Sequence, residues 1–352
     1  YSQRTHKNVK QTTHHKAGWL VKKLLEQGMT VHAAVRNPDK LEKIAHLNEI
    51  AKNTIGNIVY FQSDLLEEGS YQEAMEGCEL VFHTASPFTS EFKNPKTELI
   101  DPAVKGTANV METAKKTNSV KRVVVTSSCA SIYTDATECA KAPNGKLTEE
   151  IWNTTASLDY QPYYFSKTLA EKKAWEITQS QDQFDLVTIN PSFVLGPMLN
   201  PKFTTSESFN ILKQMGDGTM KAGAPRLGVG LVDVRDVADA HFLAGYTPEA
   251  KGRFITSGHD TDFLEMALTL QKKYGADFGI PKKALPKWLL SFVGPMINKS
   301  MSRKFVKNNV NVAWKADNSK IKSELGVEFK PMKTTMEDSF QVLVDAGIFN
   351  KK

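Results

Sequence analysis

The 352 residues predict an α/β fold, a doubly wound parallel sheet flanked by helices and followed by a smaller C-terminal lobe. Three observations carry that reading. Helix and strand signals alternate with few interruptions from residue 18 to about residue 190. Val123 to Ser127 and Leu186-Val-Thr-Ile189 are almost unbroken apolar runs, the pattern of strands buried on both faces. After residue 191 the rhythm loosens, because Pro191, Pro197, Pro201 and several glycines interrupt it.

Taken in order, Trp19-Leu-Val-Lys-Lys-Leu-Leu25 reads as an amphipathic helix stopped by Gly28. Thr30 to Val35, Asn57 to Phe61 and Leu80 to His83 read as short strands, and Val104 to Ala114 as a long helix. The strand from Val123 leads to a helix carrying Tyr163 and Lys167, and the strand from Leu186 follows it. Leu231 to Ala240 runs from strand into helix, and Arg253-Phe-Ile-Thr256 returns as a strand. Residues 281–315 look like peripheral helices and loops, and Thr335 to Ile348 is expected as a helix packed on the outside. Alternating units with buried strands give a Rossmann-type sheet with helices on both faces. The expected division is an atypical segment 1–17 and a dinucleotide-binding domain 18–190 joined by parts of 230–260. Residues 191–352 would then form mostly a substrate-binding lobe. No repeat or low-complexity tract interrupts it.

Composition narrows the function. Hydrophobic residues make up 40% and charged residues 24%, within the ordinary globular range. No apolar run approaches a membrane span, so no membrane partner is expected. Cys78, Cys129 and Cys139 have no metal spacing and form no even framework, which suits a reducing, cytoplasmic setting. No His-Glu-x-x-His or comparable pattern appears, so no metal is expected. The net charge of +6 owes much to Arg4, Lys7, Lys10 and Lys16. That balance, without a basic stripe interleaved with aromatics, does not suggest nucleic-acid binding.

The chemistry is concentrated in Tyr163-Tyr-Phe-Ser-Lys167. Positions four apart share a helix face, so Tyr163 and Lys167 project into one space. A lysine cation beside a phenol favours the phenolate, which suits the tyrosine to pass a proton and recover it. Ser128, at the end of a strand, could hold a carbonyl oxygen. The same spacing also fits a plain amphipathic helix with a half-buried ring and a solvated amine, although only Tyr163 of nine tyrosines has lysine four residues on. Ser128, Asp64, Thr84 to Ser86 and Pro191 to Phe193 all fall at strand ends, where open α/β sheets bind ligands.

These residues resemble the extended short-chain dehydrogenase/reductase family, in its dihydroflavonol-reductase-like, cinnamoyl-CoA-reductase-like and yeast methylglyoxal-reductase-like branch. The resemblance spans roughly residues 18–348. Its pieces are Val31 to Pro38, Asp64-Leu65, Val81 to Pro87, Arg122 to Ser128, Tyr163 to Glu171, Asn190-Pro191 and Val232 to His241. It implies Ser128, Tyr163 and Lys167 as the catalytic trio and a reduced nicotinamide dinucleotide as cofactor. Lys167 would also bind the nicotinamide ribose, and Asp64 and Leu65 would bracket the adenine. Thr84, Ala85, Ser86, Pro191, Ser192, Phe193 and Ser206 would line the rest of the dinucleotide. At the end of the second strand stands Arg36, with Lys40 and Lys43 close behind, where an acidic residue would repel a 2′-phosphate. A guanidinium attracts one, so NADPH/NADP+ is the expected cofactor.

One departure is large. The resemblance calls for a Gly-rich turn between the first strand and first helix, where glycines let the backbone approach a pyrophosphate. In register this chain has Lys10-Gln-Thr-Thr-His-His-Lys-Ala17, with no glycine, after a segment Lys7 to Gln11 in which only Val9 is apolar. That segment reads as a poor central strand. A sequence error, a variant that anchors phosphate through Lys16 or His14, and a scaffold without cofactor are the competing explanations. The function expected is NADPH-dependent reduction of an aldehyde or ketone to an alcohol. The alternatives are a sugar-nucleotide epimerase or dehydratase of the same superfamily, and the cofactor-free scaffold. Gln161-Pro before the Tyr163 motif makes a thioester substrate less expected, and Tyr133 replaces the asparagine of flavonoid reductases. Phe88, Tyr133 and Phe193 are the candidate substrate walls. The partner is thus a small carbonyl compound, and the chain a monomer or homodimer.

Overall fold

The computed structural model describes residues 8–12, 15–85, 92–201, 206–297 and 300–349. In chain order, β1 (Asn8–Thr12), α1 (His15–Glu26), β2 (Thr30–Val35), α2 (Leu41–Lys52) and β3 (Asn57–Gln62) build one half of the main sheet. The second half follows as α3 (Gln72–Met75), β4 (Cys78–His83), α4 (Asp101–Lys116), β5 (Arg122–Thr126), α5 (Pro162–Gln179) and β6 (Asp185–Pro191). Then come β7 (Phe193–Leu195), α6 (Glu207–Gly216), β8 (Gly228–Asp233), α7 (Val234–Tyr246), β9 (Gly252–Thr256) and β10 (His259–Asp262). The chain closes with α8 (Phe263–Tyr274), α9 (Lys287–Ile297), α10 (Arg303–Asn309), α11 (Ser319–Leu325) and α12 (Met332–Asp345).

The main sheet has seven parallel strands in the order β3-β2-β1-β4-β5-β6-β9. Strand order reverses between β1 and β4, which opens a crevice at their carboxyl ends. On one face α1 and α7 bury Leu20, Leu24 and Ala244 against Val31, Phe82 and Phe254. The approach is close: a Cβ on Gly245 of α7 would lie 2.8 Å from both Leu80 and Phe82. On the other face α3, α4 and α5 bury Met75, Val110, Met111 and Ala174 against Val81, Val123 and Leu186.

β1 corrects the sequence expectation. Asn8–Thr12 is an interior strand, running from Asn8 beside Thr30 to Thr12 beside Ala34, with β4 on its other side. Strand pairing is made by backbone groups. β2 and β4 each turn a row of N–H and C=O groups toward the slot between them, and a strand of any composition satisfies those. α1 likewise begins at His15, ahead of the expected Trp19, and Gly28 after it takes a left-handed φ of 75°.

The lobe is built on a three-stranded sheet, β10-β8-β7. α12 leaves Lys333 and Thr334 exposed on one side, and its inner face completes the lobe core. It buries Met336 and Phe340 completely among Phe209, Leu212, Met266 and Leu270 of α6 and α8. Its apolar stripe at 336, 340 and 343 is the helical spacing that a lobe core needs.

Candidate active site

β5 ends at Thr126, and the chain passes through Ser127 and Ser128 into one tight turn, Cys129–Ser131. Ser128 is extended, with φ −162° and ψ 154°, and its Oγ accepts from the Ala130 amide at 3.1 Å. α5 starts at Pro162, whose fixed φ suits the first helical position. The residue before it, Gln161, holds a left-handed φ of 56°, and its side-chain amide donates to the Ser300 carbonyl at 3.0 Å. This entry sets the rotation of α5, so that Tyr163 and Lys167 face the end of β5. The Lys167 Nζ lies 5.6 Å from the Tyr163 ring centroid, and the Tyr163 phenol stands beside the Ser128 side chain. The structure thus brings the three residues together.

Burial pushes the Tyr163 phenol up to about 12, with Tyr164 adding to the rise and the Ser128 hydroxyl opposing it. The charge of Lys167 by itself argues for a lower value, but desolvation outweighs it here. A phenol so placed is protonated at neutral pH and is a donor. Its ring is held edge-on by Tyr164 at 6.0 Å, and Tyr164 meets Tyr133 edge-on at 5.7 Å. Tyr133 is only 7% exposed and also packs on Trp314, so it backs the site instead of forming an open wall.

Beneath the trio lies a charged network. Glu171, two turns beyond Tyr163, is buried, and its carboxylate accepts from Ser127 and Ser131 at 2.5 Å each and from Asn190 at 2.9 Å. Arg253 of β9, 7% exposed, donates through Nε to Glu171 at 2.7 Å and through Nη1 to the Glu149 and Ile151 carbonyls. Trp152 covers the guanidinium at 3.9 Å. Burial alone would raise the Glu171 carboxyl. The Arg253 charge and the bonds from Arg253, Ser127 and Ser131 together hold it below the ordinary value. The network ties both serines flanking Ser128 to α5, so it fixes the distance between Ser128 and Tyr163.

The remaining site residues divide. Thr84 and Ala85 follow β4, and Ala85 shares a small cavity with Thr126, Ser127, Lys167 and Glu171. Pro191 ends β6, and the Ser192 hydroxyl after it is buried without a hydrogen-bond partner among the described residues. The Phe193 ring, half-buried, leans on Phe263 at 5.5 Å. Ser206 precedes α6 and pairs with Ser208 at 2.8 Å, some way along the chain from these strand ends. Ser86 and Phe88 lie outside the described residues, as do His14 and the Thr13 beside it.

At the other end of the crevice, Arg36, Lys40 and Lys43 are exposed beyond β2. A recess of about 610 Å³ is lined there by Arg36, Ser63 and Asp64, but also by Glu67, Glu73 and Glu76. Those carboxylates make the recess itself a poor phosphate site. Asp64 accepts from the Leu66 amide at 2.9 Å, and Leu65 presses on Gly106 of α4, where a Cβ would come within 2.4 Å.

Glu171 and Arg253 were missed by the sequence reading. The available signal was spacing, since 163, 167 and 171 share one helix face; Arg253 gave none beyond a charge in an apolar strand.

The NAD dependent epimerase/dehydratase family matches residues 18–255. Cinnamoyl-CoA reductase CAD2 of Medicago truncatula is 39% identical over 269 residues, 73% of this chain and 77% of that one. Tetraketide alpha-pyrone reductase 1 of Arabidopsis thaliana is 35% identical over 337 residues, 94% of this chain and 93% of that one. The crystal structure of Gre2 from Candida albicans in complex with NADPH matches with a TM-score of 0.77 and 28% identity, covering 97% of this chain and 99% of that one.

Proposed function

The chain belongs to the NAD dependent epimerase/dehydratase family, the extended short-chain dehydrogenase/reductases, and from that premise we propose that it is an NADPH-dependent reductase of aldehydes or ketones. The observation that carries this is the placement of the Tyr163 phenol beside the Ser128 side chain, with Lys167 one turn along, at the carboxyl end of β5. The reductase names of the two plant relatives and the NADPH of the Gre2 complex support it.

The residues present fit a dinucleotide. The buried hydroxyls of Ser63 and Ser192 have no hydrogen-bond partner among the described residues, and they stand just beyond β3 and β6 on the ligand-binding edge of the sheet. Bound there, the nicotinamide would supply hydride to the substrate. Ser128 holds the carbonyl oxygen where negative charge develops, and Tyr163 gives its proton to that oxygen. A phenol held high keeps its proton until an alkoxide, a stronger base, forms beside it. Lys167 then favours the phenolate left behind and would hold the ribose. Arg36, Lys40 and Lys43 would receive the 2′-phosphate, while Asp64 and Leu65 would bracket the adenine. Phe88 and Phe193 would wall the substrate.

Thermal unfolding with and without NADPH tests the binding half, because a ligand of the folded state raises the midpoint. NADPH consumption with a small aldehyde or α-ketoaldehyde tests the chemistry. No stabilisation by NADPH and no turnover would favour the scaffold.

A further inference from the structure

The stretch between Asp277 and Asp317 contains no acidic residue and eight basic ones, more positive charge than the whole chain's net of +6. It forms α9 and α10, a hairpin with its own small core. Leu290 packs on Val306 and Val310, with Leu227, Leu285 and Met301 around them. Lys287 locks the pair by donating to the Lys307 and Val310 carbonyls at 2.8 and 2.6 Å.

The other side of α9 is apolar and open. Trp288, Phe292 and Met296 are 69%, 68% and 86% exposed and follow one another at four-residue steps, so they form a single ridge. Val293 widens it. Exposed large side chains gathered on one face mark an interaction surface, whereas scattered ones need no explanation. One cation touches the ridge and other basic residues are exposed on the same stretch of chain. The Arg303 guanidinium lies 5.6 Å from the Phe292 ring, and Lys282, Lys283, Lys304 and Lys307 are exposed on the adjoining segments.

We propose that the α9–α10 hairpin docks this protein on an anionic lipid surface. An aromatic ridge beside lysine and arginine is the arrangement of helices that lie in the interface of a bilayer, with rings among the acyl boundary and cations at the headgroups. A second copy meeting this face symmetrically would bring the same positive charge to the contact and be repelled. Spanning is excluded, because the 11 residues of α9 extend only about 16 Å. The sequence expectation of no membrane partner rested on the lack of a span, a criterion that a surface helix escapes. The proposal is independent of the catalytic reading.

The test is co-sedimentation of the full chain with vesicles of phosphatidylcholine alone or mixed with phosphatidylserine. Binding is expected only to the mixed vesicles and should weaken as KCl rises. The combined Trp288→Asp, Phe292→Asp and Met296→Asp variant should bind about tenfold less or weaker still. These side chains are exposed, so its circular dichroism and melting should match the parent. Lys282→Glu with Lys283→Glu, which leaves the ridge intact, should also weaken binding. Failure of the parent to bind the mixed vesicles would overturn the proposal, as would binding unaffected by the three aspartates. A homodimer seen by light scattering and dissolved by those aspartates would instead assign the face to a second copy.

Discussion

Arg253 Nε meets Glu171 Oε1 at 2.7 Å inside the protein, and this contact joins β9 to the helix that carries Tyr163 and Lys167. Neither residue reaches the reacting atoms. Their position below Ser127 and Ser131 makes them a support that keeps Ser128 beside Tyr163.

Removing one partner strands the other charge in the interior. Arg253→Leu is expected to cost about 3–5 kcal/mol of stability, read from urea unfolding. Replacing both residues by apolar ones of similar size should cost less than the sum of the single changes. Additive losses would show that the pair is not coupled.

Acid sensitivity follows from the same pair. The Glu171 carboxyl is held below its ordinary 4.5, so its contribution is fully present above that pH and disappears as pH falls through the lowered folded value. Unfolding free energy of the parent should therefore drop more steeply below pH 4.5 than that of Glu171→Gln. Parallel curves for the two proteins would contradict this account.

Cofactor choice should depend on Arg36. The unaltered protein is expected to prefer NADPH over NADH, and Arg36→Asp to erase or reverse the preference by placing a repeller beside the 2′-phosphate. Comparing kcat/KM for the two cofactors checks it. Equal use of both by the unaltered protein would remove Arg36 from the phosphate site.

Glycine restoration probes the turn after β1. Gln11 sits at the backbone pairing of β1 with Ala33 and Phe82, and Ala17 is fully buried in α1. Putting glycine at Gln11, His14 and Ala17 should tighten NADPH binding by about an order of magnitude, roughly 1.4 kcal/mol, by letting the backbone approach the pyrophosphate. Fluorescence titration of both proteins measures it. Unchanged affinity would place the anchor elsewhere.

How much was legible depended on which physical signal each element carried. β2 came out residue for residue from Thr30 to Val35, because a buried strand between a glycine stop and a turn is written in side chains. The trio was legible because Tyr163 and Lys167 share a helix face with Ser128 at a strand end. β1 was not, since its place is set by the backbone groups of β2 and β4, which no side-chain pattern records. The Glu171–Arg253 pair was hidden for another reason: 82 residues separate the two, and burial turns an ordinary charge into a support only once the fold exists. Burial also reversed the expected direction for Tyr163.

The central claim is that Tyr163 is the proton donor for carbonyl reduction. The direct measurement is steady-state NADPH oxidation with an aldehyde substrate, together with an NADPH titration, for the parent and Tyr163→Phe. The account predicts that Tyr163→Phe loses at least about 10²-fold in kcat, the usual worth of a positioned acid, while NADPH affinity changes little. Lys167→Ala should impair both. Near-parental turnover by Tyr163→Phe on a substrate that the parent reduces would contradict the account.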